Sequence, residues 1–398
     1  MLTDNLKTGI IVIILYLFCT PTSAQTDTTQ PWVKYFEQLI DIEDMDDENV
    51  QNMYESLLSL SENKINLNKA TREDLEQIVF LTPQQIEEIS EYIYKYGPVH
   101  TWGELAMIES LDAIRRRLLS YFVYIDYEEK KDFPTIGNII KYGKNDFIAA
   151  VKIPMYERKG DKNGFMGYKY KHWFRYTFKY GQYLQAGLTG SQDSGEPFFA
   201  GKNSIGYDYY SFYLLIRKLG KIKVLAAGRY RLRFGMGLIM NNDFSFGKMA
   251  AFSTYGSNNV VRAHSSRSAA NYLQGCAATY NIIKGLDVTA FASYRKIDAT
   301  PGKEPNTITT IIESGYHRTQ TEMSHKNNTS QSLIGGNVRY FKSGYHIGIT
   351  SFYTYLNKRL KPNTSQIYRQ FYPSGKNFTN TSIDYGYTGH KLSVDGES

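Results

Sequence analysis

From about residue 147 onward the chain alternates between apolar and polar positions. In one stretch Tyr168, Tyr170, His172, Phe174, Tyr176, Phe178 and Tyr180 fall on one side, with Lys169, Lys171, Trp173, Arg175, Thr177 and Lys179 on the other. A second stretch sets Ile222, Val224, Ala226, Gly228, Tyr230, Leu232 and Phe234 against Lys221, Lys223, Leu225, Ala227, Arg229, Arg231 and Arg233. A period of two is that of a β-strand, whose side chains point to opposite faces in turn. Such runs exceed the ~5–6 residues of an ordinary strand and match the ~9–11 that cross a bilayer. The pattern predicts strands near 147–157, 168–180, 183–190, 208–218, 221–234, 271–281, 286–297, 332–342, 345–356 and 382–394. Gly181-Gln182, Leu219-Gly220, Ile283-Lys284-Gly285 and Ser343-Gly344 read as tight turns. Longer polar stretches, near 159–167, 191–207, 235–270, 298–331 and 357–381, alternate with them. Short turns at one end and long loops at the other are the pattern of an outer-membrane barrel.

Upstream the period becomes helical. Trp32, Phe36, Leu39 and Ile40 share a helix face, as do Val50, Met53, Tyr54, Leu57 and Leu58. Thr71-x-x-Asp74 then opens a helix carrying Leu75, Ile78 and Val79. Thr82-Pro83-Gln84-Gln85 opens another, with Thr as N-cap, Pro in the first position and Gln three residues on. That helix carries Ile86, Ile89 and Ile93 and stops at Gly97-Pro98. Thr101-x-x-Glu104 and Ser110-Leu111-Asp112 open two more. Two helix–turn–helix units in succession make an internal repeat.

Composition adds two facts. The chain has 34 Tyr, 21 Phe and 3 Trp in 398 residues, more aromatic surface than a water-soluble core can satisfy, because each buried tyrosine hydroxyl needs a partner. Charge is also divided: Gln25–Ile125 carries a net −11 and the remainder from Asp126 a net +18. The two parts are therefore expected to do different work.

The first residues carry an export signal. Lys7 precedes the apolar run Gly9–Phe18, which is too short to span a bilayer, and Thr22-Ser23-Ala24 ends at a cleavage site before Gln25. Cleavage there removes Cys19 and leaves Cys276 as a single thiol, so no internal disulfide is expected. No run of eighteen apolar residues marks a membrane helix.

Ile65-Asn66-Leu67-Asn68-Lys69-Ala70-Thr71-Arg72-Glu73-Asp74-Leu75, continued by Tyr96-Gly97-Pro98, Trp102-x-Glu104-Leu105 and Ile108, resembles the helix-hairpin-helix domain of the ComEA competence DNA receptors. The resemblance covers about 60 residues. It implies sequence-independent DNA binding, in which glycine-bounded turns offer backbone N–H groups to phosphate at helix N-termini. Here Phe80-Leu81-Thr82 and Ser110-Leu111-Asp112 stand in place of those glycine turns, and residues 64–125 carry a net −2. Both departures work against phosphate binding. Residues placed to contact DNA are Thr82, Lys95, Arg115, Arg116 and Arg117.

The expected fold class is thus α+β and multidomain: a small all-α helix-hairpin-helix domain followed by an antiparallel transmembrane β-barrel. The parts are a signal peptide (1–24), an acidic helical segment (25–63), the helix-hairpin-helix domain (64–125), a linker (126–146) and the barrel (147–398). The barrel is expected to be truncated, because Asp395-Gly396-Glu397-Ser398 reads as a turn with no returning strand. Arg229, Arg231 and Arg233 are expected to line the lumen, where they would favour anions or pair with acidic plug residues.

No metal site, cofactor or catalytic group is expected. The seven histidines show no ligand spacing, no phosphate loop occurs, and a hydrolase triad from Asp243, His264 and Ser265 or Ser266 is the weakest reading. The function expected is that of a non-enzymatic outer-membrane protein, its helical domain in the periplasm, handling DNA or another polyanion. The alternative is a scaffold that docks an envelope protein. Outer-membrane lipid is a partner in both.

Overall fold

The computed structural model describes residues 30–39, 54, 57–58, 60–61, 64–70, 72–126, 133–242, 260–267, 271–389 and 392–398. The export signal and most of the acidic segment lie outside these residues. The chain divides into two compact units, residues 1–40 and 41–398. In the first, helix α1 (Val33–Glu37) sets Trp32 and Phe36 edge to face, with ring centroids 6.0 Å apart.

The second unit begins with short elements: strand β1 (Ile65–Asn66), helix α2 (Arg72–Leu75), helix α3 (Pro83–Tyr96), a 3-10 turn (Trp102–Met107), helix α4 (Ala113–Leu119) and strand β2 (Val123–Tyr124). Helix α5 (Ile136–Tyr142) leads into the large sheet. Its strands are β3 (Lys144–Lys152), β4 (Lys171–Tyr180), β5 (Leu184–Gln192), β6 (Tyr209–Leu219), β7 (Ile222–Arg233), β8 (Val260–Ala263), β9 (Leu273–Ile283), β10 (Leu286–Pro301), β11 (Thr307–Ile312), β12 (Thr329–Lys342), β13 (Tyr345–Leu360), β14 (Gly375–Thr388) and β15 (Ser393–Glu397).

The expected fold class does not describe this molecule. Strand makes up 44% of the chain and helix 21%, so the protein is mostly β. No all-α domain occupies residues 64–125. Helix α2 is a single turn, and Gly103 lies in a segment that closes as 3-10 rather than α. The two ends of the region, β1 and β2, pair in parallel. Helices this short do not stand alone, since an isolated helix needs ~12–15 residues to be even marginal in water. They fold here because Leu67, Leu75, Ile78, Ile86, Ile89, Leu105, Leu118, Leu119 and Phe122 are buried together. The sheet itself is not uniformly antiparallel: β11 continues the ladder beyond the start of β12 and runs parallel to β13. Its ordering runs from β15 to β3, and no described residues pair those two ends.

All ten expected strand segments carry a strand. The first begins three residues early, at Lys144, inside the expected linker. The last spans Gly375–Thr388. The Gly389 amide then donates to the Leu392 carbonyl at 2.9 Å, and β15 pairs with Asp384–Thr388. Asp395–Glu397, expected to form a turn, are therefore strand residues.

The two faces of the sheet invert the usual order of a soluble protein. Thr279, Thr289, Asn337, Thr350 and Ser382 lie side by side across five strands. Of these, Thr289, Asn337, Thr350 and Ser382 are buried. Thr279 and Thr289 share a hydrogen bond of 3.0 Å, and Asn337 Nδ2 donates to Thr350 Oγ1 at 2.9 Å. The neighbouring row, Tyr280, Val288, Val338, Ile349 and Ile383, faces outward. Tyr280, Val338, Ile349 and Ile383 are exposed.

Strand β7 accounts for the filled interior. At Gly228 φ is +86°, and an added Cβ would meet the Phe212 carbonyl oxygen at 2.5 Å, so only glycine allows this approach. Beyond it Tyr230, Arg231 and Leu232 are buried on both faces of the strand. The chain there joins β8 inside the sheet. Phe234, Met240 and Val261 pack against Leu215, Ala226, Ala277, Phe291, Leu333 and Phe352. The Leu238 amide reaches Glu397 Oε2 on β15 at 3.0 Å. Part of the long 235–270 stretch thus folds inward.

Candidate functional site

The helical region places its expected DNA residues in contacts of its own. Thr82 caps α3 in a capping box with Gln85. Gln85 Nε2 donates to the Ser110 carbonyl at 2.7 Å, which brings the two unusual turns side by side. Ser110 Oγ donates to Glu88 Oε2 at 2.6 Å. Asp112 Oδ1 accepts from the Arg115 amide at 2.8 Å and caps α4, where a phosphate would otherwise sit. Arg115 also ion-pairs with Asp112, Arg116 Nη1 donates to the Leu111 carbonyl at 2.6 Å, and Arg117 lies over Tyr121. Lys95 pairs with Glu91 on the same helix at 2.5 Å. The two turns lie side by side, the first capped by Thr82 and Gln85 and the second carrying the carboxylates of Asp112 and Glu88.

This region docks at the short-turn end of the sheet. Lys218 Nζ lies 2.9 Å from Asp74 Oδ2, Gln182 Nε2 donates to the Lys64 carbonyl at 3.1 Å, and Arg262 Nη2 donates to the Glu76 carbonyl at 3.2 Å. The Arg72 guanidinium sits 4.5 Å from the Phe341 ring centroid.

Of the arginines expected to line the lumen, Arg231 is buried and Arg229 and Arg233 are partly buried, each in a separate setting. Arg229 is held between the rings of Tyr209 and Tyr272, at 4.5 and 4.3 Å. Arg231 donates through Nε to His264 Nδ1 at 2.9 Å. Arg233 reaches the Met236 carbonyl at 3.5 Å. His264 is buried, and its Nε2 lies 3.0 Å from the Tyr209 hydroxyl. Both imidazole nitrogens are engaged, which leaves none to activate Ser265 or Ser266. Asp243 lies outside the described residues.

The most concentrated chemistry is at the long-loop end. His317 Nδ1 lies 2.6 Å from Asp208 Oδ2, and its Nε2 lies 2.9 Å from Asp298 Oδ2. Lys326 Nζ approaches Asp208 Oδ1 at 2.8 Å and Asn203 Oδ1 at 2.6 Å. Glu196 accepts from the amides of His317 at 2.9 Å and Asp193 at 2.8 Å. These side chains are buried or nearly so, and they join loop 193–208 to loop 313–328. Burial works against a charged imidazole, but the carboxylates of Asp208 and Asp298 outweigh it and lift His317 to about 9. Burial, and then the charge of Asp208, raise Glu196 to about 8. Burial also opposes ionisation of Asp208, yet His317 and Lys326 hold it below its ordinary range.

Glu196, Asp208 and His317 could in principle hold a metal ion, since their ligand atoms lie within 4.8 Å of one another. The donor set does not fit one well. Both nitrogens of His317 already face carboxylates, and the Lys326 ammonium fills the cation position beside Asp208. The group reads as a closed ion network that staples two loops. These residues are spread from 196 to 326 with no periodic spacing, so sequence alone offered no signal for them.

Comparison with known protein families finds no match, and comparison with characterised proteins finds none either.

Proposed function

We propose that this is a non-enzymatic outer-membrane β-protein whose helical region caps the periplasmic end and serves as a docking scaffold. The reading rests on one observation: two adjacent rows of the sheet, one polar and buried, the other apolar and exposed. In water such an arrangement is costly, because exposed isoleucine and tyrosine order solvent while buried threonine and asparagine must find partners. In lipid it is the favourable one. The dimensions agree. Tyr345 and Tyr355 on the outer face of β13 bracket Ile347 and Ile349. Ten residues span ~34 Å along a strand, which at ~40° of tilt projects to ~25 Å, the height of the apolar band on such proteins.

Scaffolding is favoured over polyanion passage because the interior is filled by apolar packing around Phe234, Val261 and Phe291. The phosphate positions of the helical region are capped by its own side chains. Its exposed residues include Tyr94, Tyr96, Trp102 and Met107, apolar groups suited to a protein partner.

Ile349→Arg tests the membrane reading. An arginine at mid-band should cost ~2–4 kcal/mol of insertion, so the variant should be lost from outer-membrane fractions while Thr350→Ser on the inner face is retained. Normal yields of Ile349→Arg in the soluble fraction would refute lipid contact. Fluorescence anisotropy of labelled duplex DNA with the full chain separates the two roles. No binding at physiological salt is expected, and tight binding that weakens steeply with salt would favour the DNA reading.

A further inference from the structure

We propose that a cleft at the long-loop end binds an oxyanion group, a phosphate or a carboxylate, between the guanidinium groups of Arg229 and Arg295. The cleft has a volume of about 120 Å³ and is lined by both arginines with Tyr209, Tyr272 and Asn271. One water needs roughly 10–15 Å³ on this measure, so an oxyanion fits with part of its hydration.

The two arginines are held but not neutralised. Arg229 Nε donates to Gln274 Oε1 at 3.2 Å, Arg295 Nε to Gln331 Oε1 at 2.9 Å, and Arg295 Nη1 to the Tyr272 carbonyl at 2.9 Å. Tyr272 lies beneath both guanidinium groups, 4.3 Å from Arg229 and 5.2 Å from Arg295. Among the described residues no carboxylate comes within 4.0 Å of either one. The buried Nη1 of Arg229 has no hydrogen-bond partner. Two like charges side by side in a partly closed space call for a counter-ion. A guanidinium fixed through Nε presents its remaining N–H groups in the fork geometry that oxyanions match.

Other charges line the same cleft. Asp208 and Asp298 are committed to His317 and Lys326. Glu313 is exposed at the mouth, where its charge acts on Arg295 from beyond 4.0 Å, and Lys296, also exposed, lines the same cleft. The free balance is positive. The cleft and its two arginines are the same whether or not the outer face of the sheet meets lipid.

Isothermal titration calorimetry of the full chain in detergent, with inorganic phosphate and separately with acetate, tests the site. Saturable binding of at least one anion is expected. Arg229→Gln and Arg295→Gln should each weaken it about tenfold or more, and Glu313→Gln should tighten it. Binding of phosphate alone would point to a phosphorylated solute, and binding of both to the shared chemistry. No saturable heat with either anion, or undiminished binding in both arginine variants, would overturn the proposal. Glu313 is exposed, so its variant should fold in any event. If the arginine variants misfold, failure of Glu313→Gln to tighten binding overturns the proposal by itself.

Discussion

At the short-turn end the helical region meets the sheet through lysine and glutamine side chains that water reaches, set against the buried carboxylate of Asp74 (4%). Lys218 is about a third exposed, with its side chain at 35%, and the Gln182–Lys64 hydrogen bond is exposed. At the long-loop end two loops meet around charges that water scarcely reaches: the side chains of Asp208, His317 and Lys326 are 4%, 7% and 9% exposed. An ion pair in water adds little, because solvent already satisfies both charges. A buried network adds little as a whole but is costly to break, since each partner removed strands another charge. The first end is held by side chains whose sheet-side charges stay in water. The second has its two loops fixed in one arrangement.

The largest expected effect follows from breaking the buried network. Asp208→Ala leaves Lys326 with only neutral partners and His317 with one carboxylate. The cost should be about 3–5 kcal/mol, as for other broken buried pairs. Limited proteolysis should then cut within 193–208 and 313–328, where the parent protein resists. Asp208→Asn, which keeps hydrogen-bonding capacity, should fall between the two. A change in thermal stability of under about 1 kcal/mol for Asp208→Ala would mean that the loops are held by something else.

Raising the pH should loosen the same end with no mutation. His317 has its folded pKa lifted to about 9 from 6.5. Its contribution is complete below pH 6.5 and is lost as pH rises through 9. Glu196 is raised to about 8 from 4.5; its protonated form is favoured in the fold, so its contribution also declines with rising pH, between 4.5 and 8. Asp208 is lowered, and its contribution is lost only in acid, as pH falls through its depressed value. The His317 share is on the order of 3 kcal/mol. Protease cutting in 313–328 should therefore increase from about pH 7 to pH 10, while cutting in 64–125 should not follow that curve. A flat response at 313–328 would show that His317 is not held as an imidazolium.

The strands were legible because a period of two needs no tertiary information. The period marks two faces but does not tell which turns inward. In β7 the apolar face Val224, Ala226 and Tyr230 is buried, and after Gly228 both faces are. The burial of Arg231 follows the left-handed Gly228, a change of course that alternation does not encode. The helical region misled for another reason. Capping signals at Thr82 and Asp112 were real, yet they mark where helices start, not how far they run. The charged network left no trace in the pattern, because loop–loop pairing brings together residues with no regular spacing.

The smallest expected effect lies at the short-turn end, and it decides whether the comparison holds. Lys218 has φ +61°, in the left-handed region. Lys218→Ala keeps that backbone strain and removes only the side chain's links to Asp74 and Gln182. Glycine would relieve the strain and mask the loss, so it is the wrong probe. The ammonium is the partner that water reaches and the buried Asp74 carboxylate keeps other contacts, so alanine should cost about 1 kcal/mol, at the top of the range for exposed pairs, and the loss should shrink with added salt. A double-mutant cycle of Lys218→Ala with Asp74→Asn isolates the pair from their other contacts. A coupling energy above about 2 kcal/mol, insensitive to salt, would place this contact with the buried network in kind. The helical region would then be fixed to the sheet as firmly as the two loops are to each other.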